Sequence, residues 1–197
     1  FRLISSTTWD YDHADMKDLN AKIYGKELAD NFDKHYKKSI EEDWFPDYSK
    51  SGWKMGIFAG NNGANWRATG SFWRKTAFEE LETIVSLTPD MGVTSMHSDY
   101  VLPIAHHYER DDLMLQSRVP YLQVLNEAVP PLGESVDDWE ANRRLAEAIS
   151  KQAVARGIKP IMDAVDGRSV RRDYTKTLEL FTMGGRINNS KDVAQFI

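Results

Sequence analysis

The chain has 197 residues, 41% of them apolar, which is enough for one substantial core. Its net charge of -5 gives no electrostatic pull toward nucleic acid or an anionic membrane, and no apolar run nears the roughly 18 residues of a membrane helix. With no cysteine present, disulfides, cysteine-ligated zinc, cysteine-ligated iron–sulfur clusters and cysteine nucleophiles are excluded from these residues.

Residues 1–50 are polar and irregular, with one helical stretch expected around Gly25 to Glu42, where Leu28, Phe32 and Tyr36 recur at every fourth position. Trp44 to Gly52 reads as a connector. Met55-Gly56-Ile57-Phe58-Ala59 is then a short, mostly apolar run ending in Gly60-Asn61-Asn62-Gly63, the pattern of a buried strand followed by a turn. Residues 70–82 suit a helix, and Thr83 to Leu87 a second strand. Tyr100 to Ile104 is a third strand, and Tyr121 to Leu125 a fourth. The clearest helix follows "PPLGESVDDW": Ser135 is the expected N-cap, Asp138 stands three residues on, and Gly157 is the stop. A further amphipathic helix is expected over Val170 to Met183, ending at Gly184-Gly185. Both chain ends, Phe1-Arg2-Leu3-Ile4 and Val193 to Ile197, are expected to be cuts through a longer protein.

Strands alternating with helices imply an α/β fold with a largely parallel sheet, in which ligands sit beyond the carboxyl ends of the strands. Four stretches take that position: Gly60 to Gly63, Ser86-Leu87-Thr88, the run after Pro103, and the loop before Ser135. The glycines of the first would let the backbone approach a ligand, and its asparagine amides can donate and accept; an ordinary β-to-α turn reads the same way. It is neither a GxGxxG fingerprint nor a P-loop. His106-His107, with Glu109, Asp111 and Asp112 nearby, has metal-ligand residue types, but adjacent side chains diverge on a strand or a helix and HExxH spacing is absent. These histidines are expected to be framework or surface. No GxSxG is present, and the neighbouring pairs Asp111-Asp112 and Asp137-Asp138 do not make a glycosidase pair by spacing alone.

Taken in order, the motifs resemble the dinucleotide-binding third domain of the molybdopterin oxidoreductases of the DMSO reductase family. The matching residues are Gly60-Asn61-Asn62, Leu81 to Ser86, Thr94 five residues before Asp99, Asp99-Tyr100-Val101-Leu102-Pro103, Tyr108-Glu109-Arg110, and Val129 to Trp139. The upstream "WDYDHADMKDLNAKIYG" is similar to the branch containing ethylbenzene dehydrogenase, selenate, chlorate and perchlorate reductases and membrane-type nitrate reductases. The resemblance implies a Rossmann-like parallel sheet flanked by helices. It also implies three parts: a connector over 1–52, a domain over 53–157 that binds molybdopterin guanine dinucleotide (MGD), and a helical segment over 158–197 leading to a further domain.

In that family this domain holds the guanosine end of one MGD. Carried over by position, the binding residues are Asn61 and Asn62 at the first turn, Ser86 and Leu87 at the second strand end, Arg110 after the third strand, and Asp138 in the last motif. Leu87 stands where many relatives have Asp, and Asn62-Gly63 replaces a common Asn-Pro. An aspartate can accept hydrogen bonds from both the guanine N1–H and its exocyclic amine. Asp138 has a second possible role at a helix start, where an acid favours the helix dipole.

The resemblance further implies a molybdenum bis-MGD cofactor, with an iron–sulfur cluster elsewhere in the full subunit and the molybdenum ligand upstream of these residues. The implied chemistry is oxygen-atom transfer or hydroxylation coupled to electron transfer. The implied partners are the rest of the catalytic subunit and an iron–sulfur electron-transfer subunit, with neither nucleic acid nor direct membrane insertion. A periplasmic location is implied in the same way, with the cytoplasmic side left open. The other class of function left open is a non-catalytic nucleotide-binding or structural α/β module.

Overall fold

The computed structural model describes residues 16–42, 44, 54–66, 70–114, 121–165 and 168–196. The chain divides into two compact units, residues 1–54 and 55–197. The connector expected over Trp44 to Gly52 lies almost entirely outside the described residues.

In the first unit, α1 (Met16–Tyr24) and α2 (Lys26–Glu41) meet at Gly25, whose φ of 89° is open to glycine and strained for other residues. The expected helix is therefore present as α2, and α1 precedes it in a region read as irregular. Leu19 and Ile23, one turn apart, are the signal that α1 offered. Asp33 is buried and accepts from Lys17 Nζ at 3.1 Å and Lys37 Nζ at 2.9 Å. The stripe residues Leu28 and Phe32 are instead exposed.

The second unit is built on a parallel sheet of β1 (Met55–Ala59), β2 (Thr83–Thr88) and β3 (Tyr100–Pro103), in the order β1-β2-β3. The register aligns Ala59 with Leu87 and Leu87 with Leu102, so the three carboxyl ends lie side by side. Between β1 and β2 run α3 (Gly63–Trp66), α4 (Gly70–Lys75) and α5 (Ala77–Glu80). The single helix expected over 70–82 is interrupted at Thr76. Its hydroxyl donates to the Phe72 carbonyl at 2.9 Å, a side-chain bond that competes with the helix ladder. Phe78 packs against Phe58 with ring centroids 5.2 Å apart, a contact worth about 0.5–1.5 kcal/mol beyond the area it buries.

A one-turn helix, α6 (Val93–Met96), links β2 to β3 and lies against β2, with Ser86 Oγ 3.1 Å from Ser95 Oγ. The core here is made of small side chains: Ala64, Ser86, Thr94 and Ala105 are each at most 1% exposed. Small residues let backbones approach closely, so polar atoms on neighbouring turns come within bonding range. Asp99 fixes the entry to β3, accepting from the Ile84 N–H at 2.7 Å while its own N–H donates to the Ile84 carbonyl at 2.9 Å.

Beyond β3 the structure departs from expectation twice. The expected fourth strand does not join the parallel sheet. β5 (Gln123–Leu125) pairs antiparallel with β4 (Asp112–Met114) in a separate ribbon. The sheet is extended instead by one parallel bridge, Ile104 to Val136, which brings the start of α7 (Asp138–Ala155) beside the end of β3.

The helix expected over Val170 to Met183 is also absent as one element. β6 (Ile161–Val165) and β7 (Arg168–Arg172) form a hairpin, a 3-10 turn covers Tyr174–Lys176, and only Thr177–Phe181 is helical, as α8. Val170, Tyr174 and Leu178 do recur every fourth residue, but Asp173 breaks the run by accepting from Thr175 Oγ1 at 2.6 Å. Met183, Gly184 and Gly185 all have positive φ, which bars a helix from running through them, and α8 already ends at Phe181, two residues before the expected end. The last helix is α9 (Ser190–Phe196).

Candidate functional site

The carboxyl ends of β1, β2 and β3, together with the start of α7, enclose a cleft of about 360 Å³. Its walls include Gly60, Asn61 and Asn62 from the first turn, Leu87 to Asp90 from the second strand end, and Gly92, Thr94 and Ser95 around α6. Ile104 to His107, Arg110 and Asp138 close the other side. Parallel sheets place their clefts at such ends because each strand hands over to a helix there, leaving loop backbone and helix starts facing one space.

Five of the six residues singled out from the sequence line this cleft: Asn61, Asn62, Leu87, Arg110 and Asp138. Ser86 does not. It sits inside the core at 1% exposure, one residue back along β2, with its hydroxyl paired to Ser95. Leu87 contributes an apolar side chain at 6% exposure.

Arg110 follows a 3-10 turn, His107–Glu109, that is held by the His106 N–H donating to Glu109 Oε2 at 2.9 Å. The guanidinium is nearly surrounded, with its side chain 11% exposed. Nη1 donates to Asp138 Oδ2 and, at 3.3 Å, to the Ala105 carbonyl. Nη2 reaches Asp112 Oδ2 at 2.9 Å and His107 Nδ1 at 3.3 Å. Because an arginine can only donate, that His107 nitrogen accepts, which places any N–H of the neutral ring on the far side. Nε is buried and has no acceptor among the described residues. The cation thus lies between two carboxylates, and the cleft offers directed hydrogen bonds in place of a free positive charge.

The N-cap of α7 is Asp137, not the expected Ser135. Asp137 Oδ1 accepts from the Glu140 N–H at 2.6 Å and its Oδ2 accepts from Ser190 Oγ at 2.7 Å, tying α7 to the start of α9. The Ser135 hydroxyl donates to the Leu132 carbonyl at 2.8 Å, closing the turn before the helix. Capping is therefore done by Asp137, and Asp138 is the first helical residue, with its carboxylate on the cleft and on Arg110.

Several lining residues carry no binding role in the sequence reading. Thr88 Oγ1 donates to the Asp90 carbonyl at 2.9 Å and shapes the turn after β2. The Thr94 hydroxyl donates to Asn62 Oδ1 at 2.8 Å, joining α6 to the first turn. His106 and His107, expected as framework or surface, stand on the cleft wall with ring centroids 5.4 Å apart. Among the described residues, no three His, Asp or Glu side chains are placed to hold an ion together.

A cleft of this size sits at the small end of the ~300–1,000 Å³ range of small-molecule sites. It suits one polar end of a longer ligand. Asparagine amides supply donors, while the Asp138 carboxylate supplies acceptors, which is the mixed set a nucleoside base and its sugar can satisfy. The residues present fit such a group.

A family profile described as Molybdopterin oxidoreductase matches residues 22–148. The chain is 31% identical, over 90% of its length, to the respiratory nitrate reductase subunit alpha of Haloferax mediterranei. It is 31% identical over 94% of its length to the dimethylsulfide dehydrogenase subunit alpha of Rhodovulum sulfidophilum. It is 25% identical over its whole length to the perchlorate reductase subunit alpha of Dechloromonas aromatica. The chain spans only 18%, 20% and 21% of those three relatives.

Proposed function

Since the chain belongs to the molybdopterin oxidoreductase family, we propose that its cleft holds the guanosine end of one molybdopterin guanine dinucleotide, within the catalytic subunit of a reductase or dehydrogenase. The observation that carries this reading is the convergence of Asn61, Asn62, Leu87, Arg110 and Asp138 on one cleft at the carboxyl ends of three parallel strands. On this reading, residues 53–157 are the dinucleotide-binding domain, the third of a larger subunit.

The residues divide the work by chemistry. Asp138 is the acceptor for a guanine edge, since a carboxylate can take two parallel N–H donors. Arg110 is the positioning group: bonds to Asp138, Asp112 and the Ala105 carbonyl hold it in place beside the Asp138 carboxylate. Asn61 and Asn62 offer short neutral side chains, and Leu87 packs an apolar surface against the ring. Ser86 acts through the core, by holding α6 against β2. When bound, the cofactor supplies a molybdenum centre for oxygen-atom transfer or hydroxylation coupled to electron transfer. A bis-MGD form, an iron–sulfur cluster elsewhere in the subunit and an iron–sulfur partner subunit belong to the same proposal; the relatives' designation as alpha subunits supports the presence of further subunits.

The test is Asp138→Ala in the full-length parent protein, with molybdenum and guanine nucleotide measured per polypeptide after purification. Loss of a charge-assisted bond predicts roughly tenfold weaker retention. Retention equal to wild type would remove Asp138 from the site.

A further inference from the structure

Asn62 and Thr94 are 32 positions apart in the chain yet meet side by side on the cleft lining. The Thr94 N–H donates to Asn62 Oδ1 at 3.0 Å, and the Thr94 hydroxyl donates to the same oxygen at 2.8 Å. The hydroxyl oxygen in turn accepts from the Ala64 N–H at 3.1 Å. This chain of bonds fixes the amide without ambiguity. A backbone N–H can only donate, so the Asn62 atom facing it must be the oxygen. With its oxygen taken twice, the amide has two N–H donors left on Nδ2. Thr94 is 1% exposed, so its hydroxyl is not free to exchange partners with water.

Gly92 points to the same arrangement independently. Its backbone is extended, so no glycine conformation is required. A Cβ there would lie 2.8 Å from Asn62 Nδ2 and 3.2 Å from its Cγ. The position is kept clear for the amide, which cannot swing aside while Thr94 holds its oxygen. Gly92, Asn62 and Thr94 all line the cleft.

We propose that Thr94 is a positioning residue, which with the space left at Gly92 locks the Asn62 carboxamide so that its Nδ2 donors face a hydrogen-bond acceptor of the bound nucleotide. The proposal rests on the cofactor reading above, and it adds that Asn62 serves as a donor only. It assigns Thr94 and Gly92 a part in affinity without contact between their side chains and the ligand.

The experiment uses the full-length parent protein, purified with its cofactor, and follows release of guanine nucleotide and molybdenum with time at a fixed mild temperature. Asn62→Ala and Thr94→Val should each speed release by roughly fivefold or more, the effect of one lost hydrogen bond. Thr94→Ser should restore wild-type release, because it keeps the hydroxyl. In the Asn62→Ala background, Thr94→Val should speed release by a clearly smaller factor than it does alone, the remainder coming from the Ala64 N–H that loses its acceptor; a merely structural threonine would give the same factor in both backgrounds. Gly92→Ala, which leaves every hydrogen-bonding group in place, should speed release comparably, and it decides the matter if Thr94→Val does not fold. Release that is faster in Asn62→Ala but unchanged in both Thr94→Val and Gly92→Ala would overturn the proposal and leave the cofactor reading standing. Release unchanged in Asn62→Ala, Thr94→Val and Asp138→Ala alike would overturn both.

Discussion

Adjacent acids at 137 and 138 do different jobs, and their separation turns on one step of helix geometry. Asp137 has extended backbone and caps α7, while Asp138 lies one residue into the helix and faces the cleft. Removing the cap through Asp137→Ala should lower stability by about 1–2 kcal/mol, through the loss of the Glu140 and Ser190 bonds. Denaturant unfolding of the parent protein would read this, and an unchanged midpoint would contradict it. Spacing alone favoured Ser135 as the cap, because Asp138 stands three residues on. What spacing could not include was the parallel bridge from Ile104 to Val136, which keeps the chain extended past Ser135 and delays the helix start. Arg110 and Asp138 were both legible by position, but their pairing was not, since it depends on that same bridge. Ser86 was legible as a strand-end residue. The pleat turns it inward, and only the register with Val101 and the contact with Ser95 reveal that.

At the level of elements, α7 carries a charge network that orders its first turns. Glu140 accepts from Arg143 Nε at 2.6 Å and Arg144 Nε at 2.7 Å. Arg143, first, and then Arg144 hold the Glu140 carboxyl at about 2, well below its usual value of 4.5. A carboxylate whose folded value is depressed stabilises the fold above its unfolded value, so this contribution is complete above about pH 4.5 and fades as pH falls toward 2. Because the group is near the surface, its size is about 1 kcal/mol. Glu140→Gln should therefore lower the melting temperature at neutral pH and converge on wild type near pH 2; a constant offset at both extremes would show that charge is not the cause. The elements themselves were read unevenly. β1, β2, β3 and α7 fall where runs of apolar residues and a Gly stop placed them, although only β2 is largely buried and the expected buried strand β1 is half exposed. Val170, Tyr174 and Leu178 copied a helical period inside a hairpin and a 3-10 turn. There the strand partner, β6, and the local bonds of Asp173 outweighed periodicity, and neither is visible in a window of residues.

For the molecule as a whole, the site is an assembly of strand ends that only the sheet brings together. Asn62, Leu87, Arg110 and Asp138 are spread over 77 positions of chain, and each alone reads as a turn, an apolar residue, a surface cation or a helix acid. Their order along the chain, set against a family pattern, carried the functional reading, and the parallel register explains why that order becomes proximity. No helix among the described residues is long and apolar enough to cross a membrane. On the proposed reading this cleft receives the nucleotide end of the cofactor. An experimental structure of the full-length parent protein with its cofactor bound would read this from the contacts themselves. A guanine edge should lie within hydrogen-bonding distance of the Asp138 carboxylate, with Asn62 Nδ2 donating to the same nucleotide. A cofactor whose nucleotide ends all lie away from Asn62, Arg110 and Asp138 would contradict it.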